Sequence, residues 1–315
     1  MAITLGNSNY NGDFLEFLYK VLFVGNEVIN KGAARVLTGI SQKRALPKIS
    51  QTTDPFGDYT SGAPGADTVT TTYAERDIEP KKMTLYEEFL PEEWQDVWDK
   101  WQPVGDFTNL MMNPEFMADV IELYMNNGGT QLSKLFWQGD TSLGAADPMN
   151  KFDGIVTRAI ADAGVIDAVT LGVPLTKANI IDAVENVYNA MPDKYLDDPD
   201  WVINMNTTDF KLLQIANLEA KETTTGVLTT NVERLFLEKR IQHYQGMPSN
   251  YMVGAKGLPN SDDSNLFFGF YVEFTNENPR INYVNNAGRN MFIRYDVKAD
   301  ANYREATEIV LYSPA

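Results

Sequence analysis

The sequence predicts a globular protein that mixes α-helices with β-strands, in an α+β or α/β arrangement. Three features indicate this class: a long amphipathic helix, a later region in which strands alternate with helices, and a carboxy-terminal region made mostly of strands. The chain has 315 residues, of which 43% are hydrophobic and 22% are charged, so it can bury a sizeable core. We therefore expect one large or two medium domains.

The first 48 residues contain an apolar stretch that is typical of an amphipathic helix, followed by a basic connector from Gln42 to Lys48. Two interpretations of this helix stay open. It packs on its own domain, or it forms an arm that lies on a neighbouring subunit. Hydrophobic periodicity does not decide between them.

Residues 49–82 are dominated by Gly, Pro, Thr, Asp and Ser, with turn signals such as Asp54-Pro55 and Ala63-Pro64-Gly65. The run from Thr68 to Tyr73 favours a β-strand and predicts the second strand of a hairpin. An isolated two-stranded hairpin is marginally stable in water, so a long one needs a partner surface. The alternatives are a projecting hairpin that clasps a neighbour and a disordered loop.

The long helix starts at Asn113, which suits the capping position, and Pro114 suits the first helical position. Its apolar pattern stops at Gly139-Asp140 and is interrupted by Gly128-Gly129. Each glycine costs about 1 kcal/mol relative to alanine inside a helix. The helix therefore either continues through the glycines, held by tertiary packing, or breaks there.

The chain after Gly154 alternates between helices and strands. We predict a helix capped by Thr176, a buried strand from Trp201 to Met205 and a second helix that opens at Asn206. From Asn265 onward the chain is mostly strand. Alternation from Met291 to Val297 predicts a sheet with one buried face, and the last predicted strand is Glu308 to Tyr312.

The search for catalytic chemistry gives a negative result. The sequence has no cysteine, one histidine (His243), and none of the glycine-rich, nucleophile-elbow or zinc-protease motifs. We interpret His243 as a polar strand or loop residue. The acidic residues Asp197, Asp198 and Asp200 lack the calcium-loop pattern and are interpreted as a solvated loop. We predict no catalytic, cofactor or metal site, and no enzymatic activity.

The chain carries 26 basic and 43 acidic residues, which gives a net charge of −17. Such a surface repels phosphates and argues against a protein that grips nucleic acid. The sequence shows neither a secretory signal nor a run of 18 apolar residues. We therefore expect a soluble, cytoplasmic product that makes no contact with a membrane.

Several ordered strings resemble the major capsid proteins of tailed bacteriophages, which share the Hong Kong 97 fold. The helix that starts at Asn113 ends in Trp137-Gln138-Gly139-Asp140 and is followed by Phe152-Asp153-Gly154, which is similar to the spine helix and the GD…FDG turn of that family. Further strings that carry the resemblance are Met191-Pro192, Trp201 to Asp209, Met247 to Val253, Asn265 to Gly269 and the closing FIRYDVKADANYREATEIVLY. The resemblance spans nearly the whole chain.

The resemblance implies an α+β fold of the Hong Kong 97 type with six regions. These are an amino-terminal arm (1–48), an extended hairpin loop (49–88), a peripheral domain with a long spine helix (89–155), an axial domain (156–274), peripheral-domain strands (275–304) and a carboxy-terminal strand that returns to the axial domain (305–315).

The resemblance also implies a structural subunit that self-assembles into hexamers and pentamers of an icosahedral shell around the double-stranded DNA genome of a tailed phage or prophage. Its partners would be copies of itself, a separate scaffolding protein, a portal and cement proteins. DNA would be enclosed without sequence-specific binding. The shell would assemble in the host bacterial cytoplasm and become the virion capsid. Residues 49–80 contain no lysine, so we expect no covalent cross-link at the hairpin tip.

The residues predicted to make contacts between subunits lie in the arm and in the hairpin. They are Phe14, Phe17, Leu18, Val21, Leu22, Pro55, Phe56, Tyr59 and Tyr73. Two alternative functions stay open. One is an encapsulin-type nanocompartment shell, which shares the fold but loads a protein cargo. The other is an acidic cytosolic enzyme of an unrecognised type.

Overall fold

The computed structural model describes residues 25–51, 71–89, 114–225, 235–258, 261, 263–272, 280–284 and 290–314. The α-helices are α1 (Glu27–Asn30), α2 (Pro114–Gln138), α3 (Ile155–Ala161), α4 (Ile180–Asn189) and α5 (Thr207–Thr225). The strands are β1 (Arg35–Thr38), β2 (Arg44–Gln51), β3 (Thr71–Ile78), β4 (Lys81–Phe89), β5 (Ile166–Asp167), β6 (Trp201–Asn206), β7 (Leu235–Phe236), β8 (Lys239–Tyr244), β9 (Met252–Lys256), β10 (Leu266–Val272), β11 (Arg280–Tyr283), β12 (Met291–Tyr303) and β13 (Val310–Tyr312).

The strands form two large sheets and one separate hairpin. In the five-stranded sheet, β12 pairs with β11 over its first residues and with β10 over its last, while β4 pairs along its opposite edge. Strand β1 completes this sheet by pairing with β10 in parallel. The six-stranded sheet has the order β5-β13-β9-β6-β8-β7, and β2 pairs with β3.

Strand β12 shows the predicted alternation along its first half. Met291, Ile293, Tyr295 and Val297 are buried, while Arg294 between them is exposed. One face of this sheet therefore packs on the core and the other meets solvent, as expected of a half-buried antiparallel strand.

The long helix α2 continues through Gly128 and Gly129, which resolves the alternative left by the sequence. The backbone at Gly25 lies so close to the helix that a Cβ there would be 2.8 Å from the carbonyl oxygen of Asn126. Beyond the glycines the helix buries Leu132, Leu135, Phe136 and Trp137. Packing on both sides of the glycine pair offsets its helix-breaking cost.

The six-stranded sheet separates two apolar cores. In β13, Leu311 faces the core that contains α2 and α3, whereas Val310 and Tyr312 face the core that contains α4 and α5. All six residues of β6 are buried, because both faces of the sheet are covered. This double burial explains why the predicted strand from Trp201 to Met205 is apolar at every position except Asn204, whose side chain donates a 3.0 Å hydrogen bond to the Val253 carbonyl.

Two predicted boundaries are wrong. Helix α4 begins at Ile180 rather than beside Thr176, because residues 176–179 form a turn: the Asn179 N–H donates to the Thr176 carbonyl at 3.2 Å, and the Asn179 Oδ1 accepts from the Thr176 N–H at 2.7 Å. The last strand begins at Val310, because Ala306–Glu308 form a 3-10 turn in which the Glu305 carboxylate accepts from the Thr307 N–H.

The connector predicted for Gln42 to Lys48 is also wrong, because most of it lies in β2, which pairs with β3. The basic character of this stretch misled the prediction: its lysines are matched by acids, Lys43 by Asp77 at 2.6 Å and Lys48 by Glu305. Residues 25–40 pack on the body of the protein through buried apolar side chains and β1. The predicted helix before residue 25 lies outside the described residues.

Candidate assembly surface

The strings Gly139-Asp140 and Phe152-Asp153-Gly154 meet in one tight turn after α2. A Cβ at Gly139 would lie 2.2 Å from the Phe152 carbonyl oxygen, and a Cβ at Gly154 would lie 2.7 Å from that of Leu135. The Gly154 N–H donates a 2.8 Å hydrogen bond to the Gly139 carbonyl. Both positions therefore require glycine because two backbone segments touch there.

The two aspartates of these strings hold the loop between them. Asp153 accepts hydrogen bonds from the Thr141 N–H at 2.8 Å and from its hydroxyl at 2.7 Å. Asp140 accepts from the Ser142 N–H at 2.8 Å, and hydrogen bonding from Ser142 lowers the pKa of the Asp140 carboxyl. These two strings therefore form a hydrogen-bonded turn that connects α2 to α3.

A hairpin is present as β2 and β3, but its bounds differ from the prediction: β2 begins at Arg44, before the predicted range of 49–82, and β3 runs from Thr71 to Ile78 rather than from Thr68 to Tyr73. The two strands pair in antiparallel fashion from Arg44 opposite Ile78 to Gln51 opposite Thr71. Ile49 lies directly opposite Tyr73, and these side chains are 72% and 64% exposed. We call this cross-strand pair the hairpin patch.

The base of the hairpin is attached to the body by an apolar cluster. Leu46 of β2 and Ile78 of β3 are buried together against residues of the five-stranded sheet and its preceding turn. The other members of this cluster are Leu37, Ile40 and Phe267. The hairpin is therefore fixed at its base, although an isolated hairpin would be marginal.

A charged contact reinforces this attachment. The Arg76 guanidinium donates to the Asp162 carboxylate and lies 4.5 Å from the centre of the Tyr303 ring, whose hydroxyl donates a 2.9 Å hydrogen bond to Asp162. Burial alone would raise the pKa of Asp162, but hydrogen bonds from Gly164, Arg76 and Tyr303 outweigh it and lower that pKa. The carboxylate is thus held in its charged form beside the arginine.

Asp300 provides a second buried attachment. Its carboxylate accepts a 2.8 Å hydrogen bond from the Glu79 N–H, just after β3, and another of 2.8 Å from Arg158. Burial raises the pKa of Asp300 in spite of Arg158. The Asn302 side chain donates a 2.6 Å hydrogen bond to the Asp77 carbonyl.

On the β2 side of the hairpin, the Lys48 ammonium pairs with Glu305, and burial lowers the pKa of this lysine. Lys48 lies opposite Ala74, one step before the hairpin patch. The attachments to the body therefore reach Lys48, and the exposed apolar pair begins with the next residue. The body orients the hairpin patch without covering it.

Of the predicted contact residues, the structure describes Tyr73, which is exposed on the hairpin. Phe14, Phe17, Leu18, Val21, Leu22, Pro55, Phe56 and Tyr59 lie outside the described residues, and their contacts remain predictions. Ile49 was missed, although its β-branched side chain beside the turn-rich stretch is the kind of residue that occupies a strand. Only the pairing register shows that it shares a patch with Tyr73.

His243 and the acidic loop around Asp198 make packing, hydrogen-bond and ion-pair contacts within the protein. The His243 ring stacks on Phe210 with a centroid distance of 4.6 Å, and its Nδ1 lies 3.3 Å from the Thr207 hydroxyl. Asp198 pairs with Lys256 at 2.8 Å and caps the Asp200 N–H at 2.9 Å. Within the described ranges, no cluster of three or more histidine or acidic side chains is arranged to hold a metal ion.

No helix in the described part of the chain combines the length and the apolar character that a membrane span needs.

The described elements define the chain as a member of a fold class. The long helix with its tight glycine turn, the sheet around β12, the second sheet and the hairpin together form the α+β fold of phage capsid proteins. The Hong Kong 97-type fold implied by the sequence is thus confirmed.

Particular solved structures document this similarity. A chain of the satellite phage P4 procapsid, which includes the size determination (Sid) protein, matches with a TM-score of 0.59 at 11% identity, over 95% of this chain and 99% of that chain. The capsid of the native GTA particle matches with a TM-score of 0.55 at 12% identity, over 94% and 91%. A chain of Mycobacterium phage Cain matches with a TM-score of 0.53 at 13% identity, over 92% of this chain and 90% of that chain. No protein-family model and no curated protein sequence matches the chain.

Proposed function

We propose that this chain is the major capsid protein of a tailed phage or prophage, a non-enzymatic subunit that self-assembles into an icosahedral shell. The observation that carries this proposal is the fold, which matches capsid chains over nearly the full length of both proteins. In this proposal the subunits form hexamers and pentamers, and contacts between unlike surfaces close them into rings.

The hairpin patch supports a role in assembly. Ile49 and Tyr73 are large apolar side chains that the body holds in place but leaves exposed. Burying such side chains is worth about 1.5–3 kcal/mol each. A neighbouring copy that covers the patch would gain this free energy, so we assign the hairpin to contacts between subunits. The predicted extent of 49–88 omits the start of β2 and takes in β4, which pairs with β12 in the five-stranded sheet.

The two sheets support a division of the body. We assign α2, β11 and β12 to a peripheral domain, drawn from residues 89–155 and 275–304, while β1, β10 and nearly all of β4, which complete the five-stranded sheet, come from outside those ranges. We assign the six-stranded sheet with α4 and α5 to an axial domain, drawn from residues 156–274 and 305–315. The amino-terminal arm then consists mainly of the residues before Gly25, because residues 25–40 pack on the body.

The net charge suits a container for DNA. At −17 per copy, a shell wall repels phosphates and does not bind the enclosed double-stranded DNA by sequence. We further propose that a separate scaffolding protein, a portal and cement proteins take part, that assembly occurs in the host bacterial cytoplasm, and that the product is the virion capsid.

The hairpin patch provides a direct test. We expect the double variant Ile49→Ser, Tyr73→Ser to remain folded but to need an assembly concentration at least about tenfold higher, since losing about 1.4 kcal/mol per contact changes an association constant tenfold. Mass photometry across a concentration series measures this midpoint. The matched control Tyr73→Phe keeps the ring and should assemble like the natural chain. Unchanged assembly of the double variant would remove the hairpin patch from the interface.

A further inference from the structure

Three buried polar atoms on α2 and at the start of α1 have no hydrogen-bond partner among the described residues. They are the Asn26 amide nitrogen Nδ2, the Ser133 hydroxyl oxygen and the Trp137 indole nitrogen Nε1. The three residues are 1%, 2% and 0% exposed. Leaving a buried polar group unpaired is costly, so native proteins satisfy almost all such groups with protein atoms or with ordered water.

The role of Asn26 as the cap of α1 fixes the orientation of its amide. The Oδ1 atom accepts hydrogen bonds from the N–H groups of Val28 at 3.0 Å and Ile29 at 3.4 Å. Exchanging the oxygen and the nitrogen of this amide would lose both bonds. Nδ2 is therefore a donor that points away from the capped N–H groups of α1.

The hydroxyl and the indole lie on one face of α2, because Ser133 and Trp137 are one helical turn apart. Side chains of a helix point back towards its amino terminus, so both lie over the turns that follow Gly129. Gly129 is buried and has no side chain, which leaves space at this point of the helix. The same face receives the start of α1, since a Cβ at Gly25 would lie 2.8 Å from the carbonyl oxygen of Asn126, about two turns before Ser133.

The segment that follows β8 forms the third wall of this site. The Gln245 N–H donates a 2.6 Å hydrogen bond to the Glu27 carboxylate on α1. A Cβ at Gly246 would lie 2.8 Å from the Ser133 carbonyl oxygen, and the Tyr244 ring lies 5.2 Å from the buried tryptophan ring of α2. One short segment thus contacts α1 on one side and α2 on the other, and the three unpaired groups belong to the elements that meet there.

We propose that these three groups bind one internal water molecule. The Asn26 and Trp137 nitrogens only donate, whereas the Ser133 hydroxyl also accepts. A water oxygen accepts from both N–H groups, and one water proton goes to the Ser133 oxygen. This makes the three hydrogen bonds that are typical of a buried water.

The chemistry of the site favours water over an ion. The N–H protons of Asn26 and Trp137 repel a cation, and the carboxylate of the adjacent Glu27 disfavours an anion. All the walls belong to a single chain, so the proposal does not depend on the proposed shell function. The bound water would join Asn26, which directly follows Gly25 at the end of the predicted arm, to the long helix.

A high-resolution density map, from crystals or from assembled particles, tests the site directly. We expect a peak at hydrogen-bond distance, about 2.7–3.2 Å, from all three atoms. Trp201 is the control within the same map, because its buried Nε1 is also unpaired among the described residues. Asn204, the other residue of β6 with an unpaired atom, is three positions away and therefore faces the opposite side of the sheet.

A buried water needs two to four partners, so we expect no peak beside the Trp201 nitrogen. The absence of a peak at Trp137, or peaks at both tryptophans, would overturn the proposal. Crystals soaked in bromide separate the two ligand chemistries. An anomalous peak at the site would show that it binds an anion, and the assignment of water would be wrong.

Ser133→Ala provides a second measurement, whose sign depends on whether water is bound. If water is bound, the variant removes one of its partners, and we expect the equilibrium constant for unfolding to rise at least about threefold above that of the control. In a dry site the same change would remove an unsatisfied hydroxyl and lower that constant. The control Thr130→Ala removes an exposed hydroxyl from the same helix with a similar gain in helix propensity. Urea denaturation compares the two variants. A constant for Ser133→Ala equal to or below that of Thr130→Ala would overturn the proposal.

Discussion

Gly139 illustrates how individual residues determine this fold. It was noted in the sequence as part of a family-like string, but its physical role becomes clear only from the 2.2 Å that would separate a Cβ from the Phe152 carbonyl oxygen. The adjoining aspartates are hydrogen-bonded within the same loop. Single residues such as Gly139 therefore act in this fold by allowing two backbone segments to come into contact.

We expect Gly139→Ala to lower the free energy of unfolding by about 1–3 kcal/mol, because the added methyl group overlaps backbone that is anchored on both sides. Gly144 lies in the same loop, and a Cβ there would meet nothing within 4 Å. The matched variant Gly144→Ala should therefore change stability by less than about 0.5 kcal/mol. Urea denaturation compares the two. If the two variants lowered the free energy of unfolding equally, the backbone around Gly139 and Phe152 would be able to move apart to admit a methyl group.

Asp296 predicts a specific pH dependence of stability. Burial would raise its pKa, but hydrogen bonds from Arg294, Thr84 and Lys82 lower it to about 2. Its unfolded-state pKa is about 3.9, so the aspartate contributes stability above about pH 4 that is lost as the pH falls towards 2.

Asp296→Asn should therefore lower the free energy of unfolding at pH 7 by about 1–2 kcal/mol, allowing for the exposure of its lysine and arginine partners. The difference in free energy of unfolding between the variant and the natural chain should become smaller as the pH decreases from 4 to 2.5. Urea denaturation at several pH values measures it. A gap that stays constant with pH would contradict the assigned pKa.

The elements differ in how far the sequence could predict them. Helix α2 follows from its cap and periodicity, but its continuity through Gly128-Gly129 depends on packing against Gly25, which is distant in the chain. Strand β1 was missed because a strand of four residues has too little alternation to detect. Its parallel partner, β10, is supplied by the opposite end of the sequence.

The amino-terminal region provides a test at this scale. Removing residues 1–24 should leave the monomer folded and prevent assembly, as expected of an arm. Removing residues 1–39 should destabilise the monomer by at least about 3 kcal/mol, because it deletes β1 and the buried side chains of Val28 and Leu37. Thermal melts of the two truncated chains measure the difference. Equal melting temperatures would show that β1 is dispensable.

For the molecule as a whole, the sequence predicted the fold through the order of its elements rather than through any single motif. The hairpin was predictable from turn residues and a β-favouring run. The hairpin patch was not, because the exposure of Ile49 follows from the pairing register with Tyr73 and from where the body stops covering the strands. The strand order of the six-stranded sheet was not predictable either, because local sequence patterns do not contain it.

The central claim is that copies of this chain build a closed shell. Negative-stain electron microscopy with mass photometry, on the chain produced alone and together with the products of its neighbouring genes, tests it most directly. We predict closed icosahedral particles or capsomer-sized rings, with a diameter large enough for a phage genome. A small shell filled with protein would indicate a nanocompartment instead. A monomer under every condition would contradict the account.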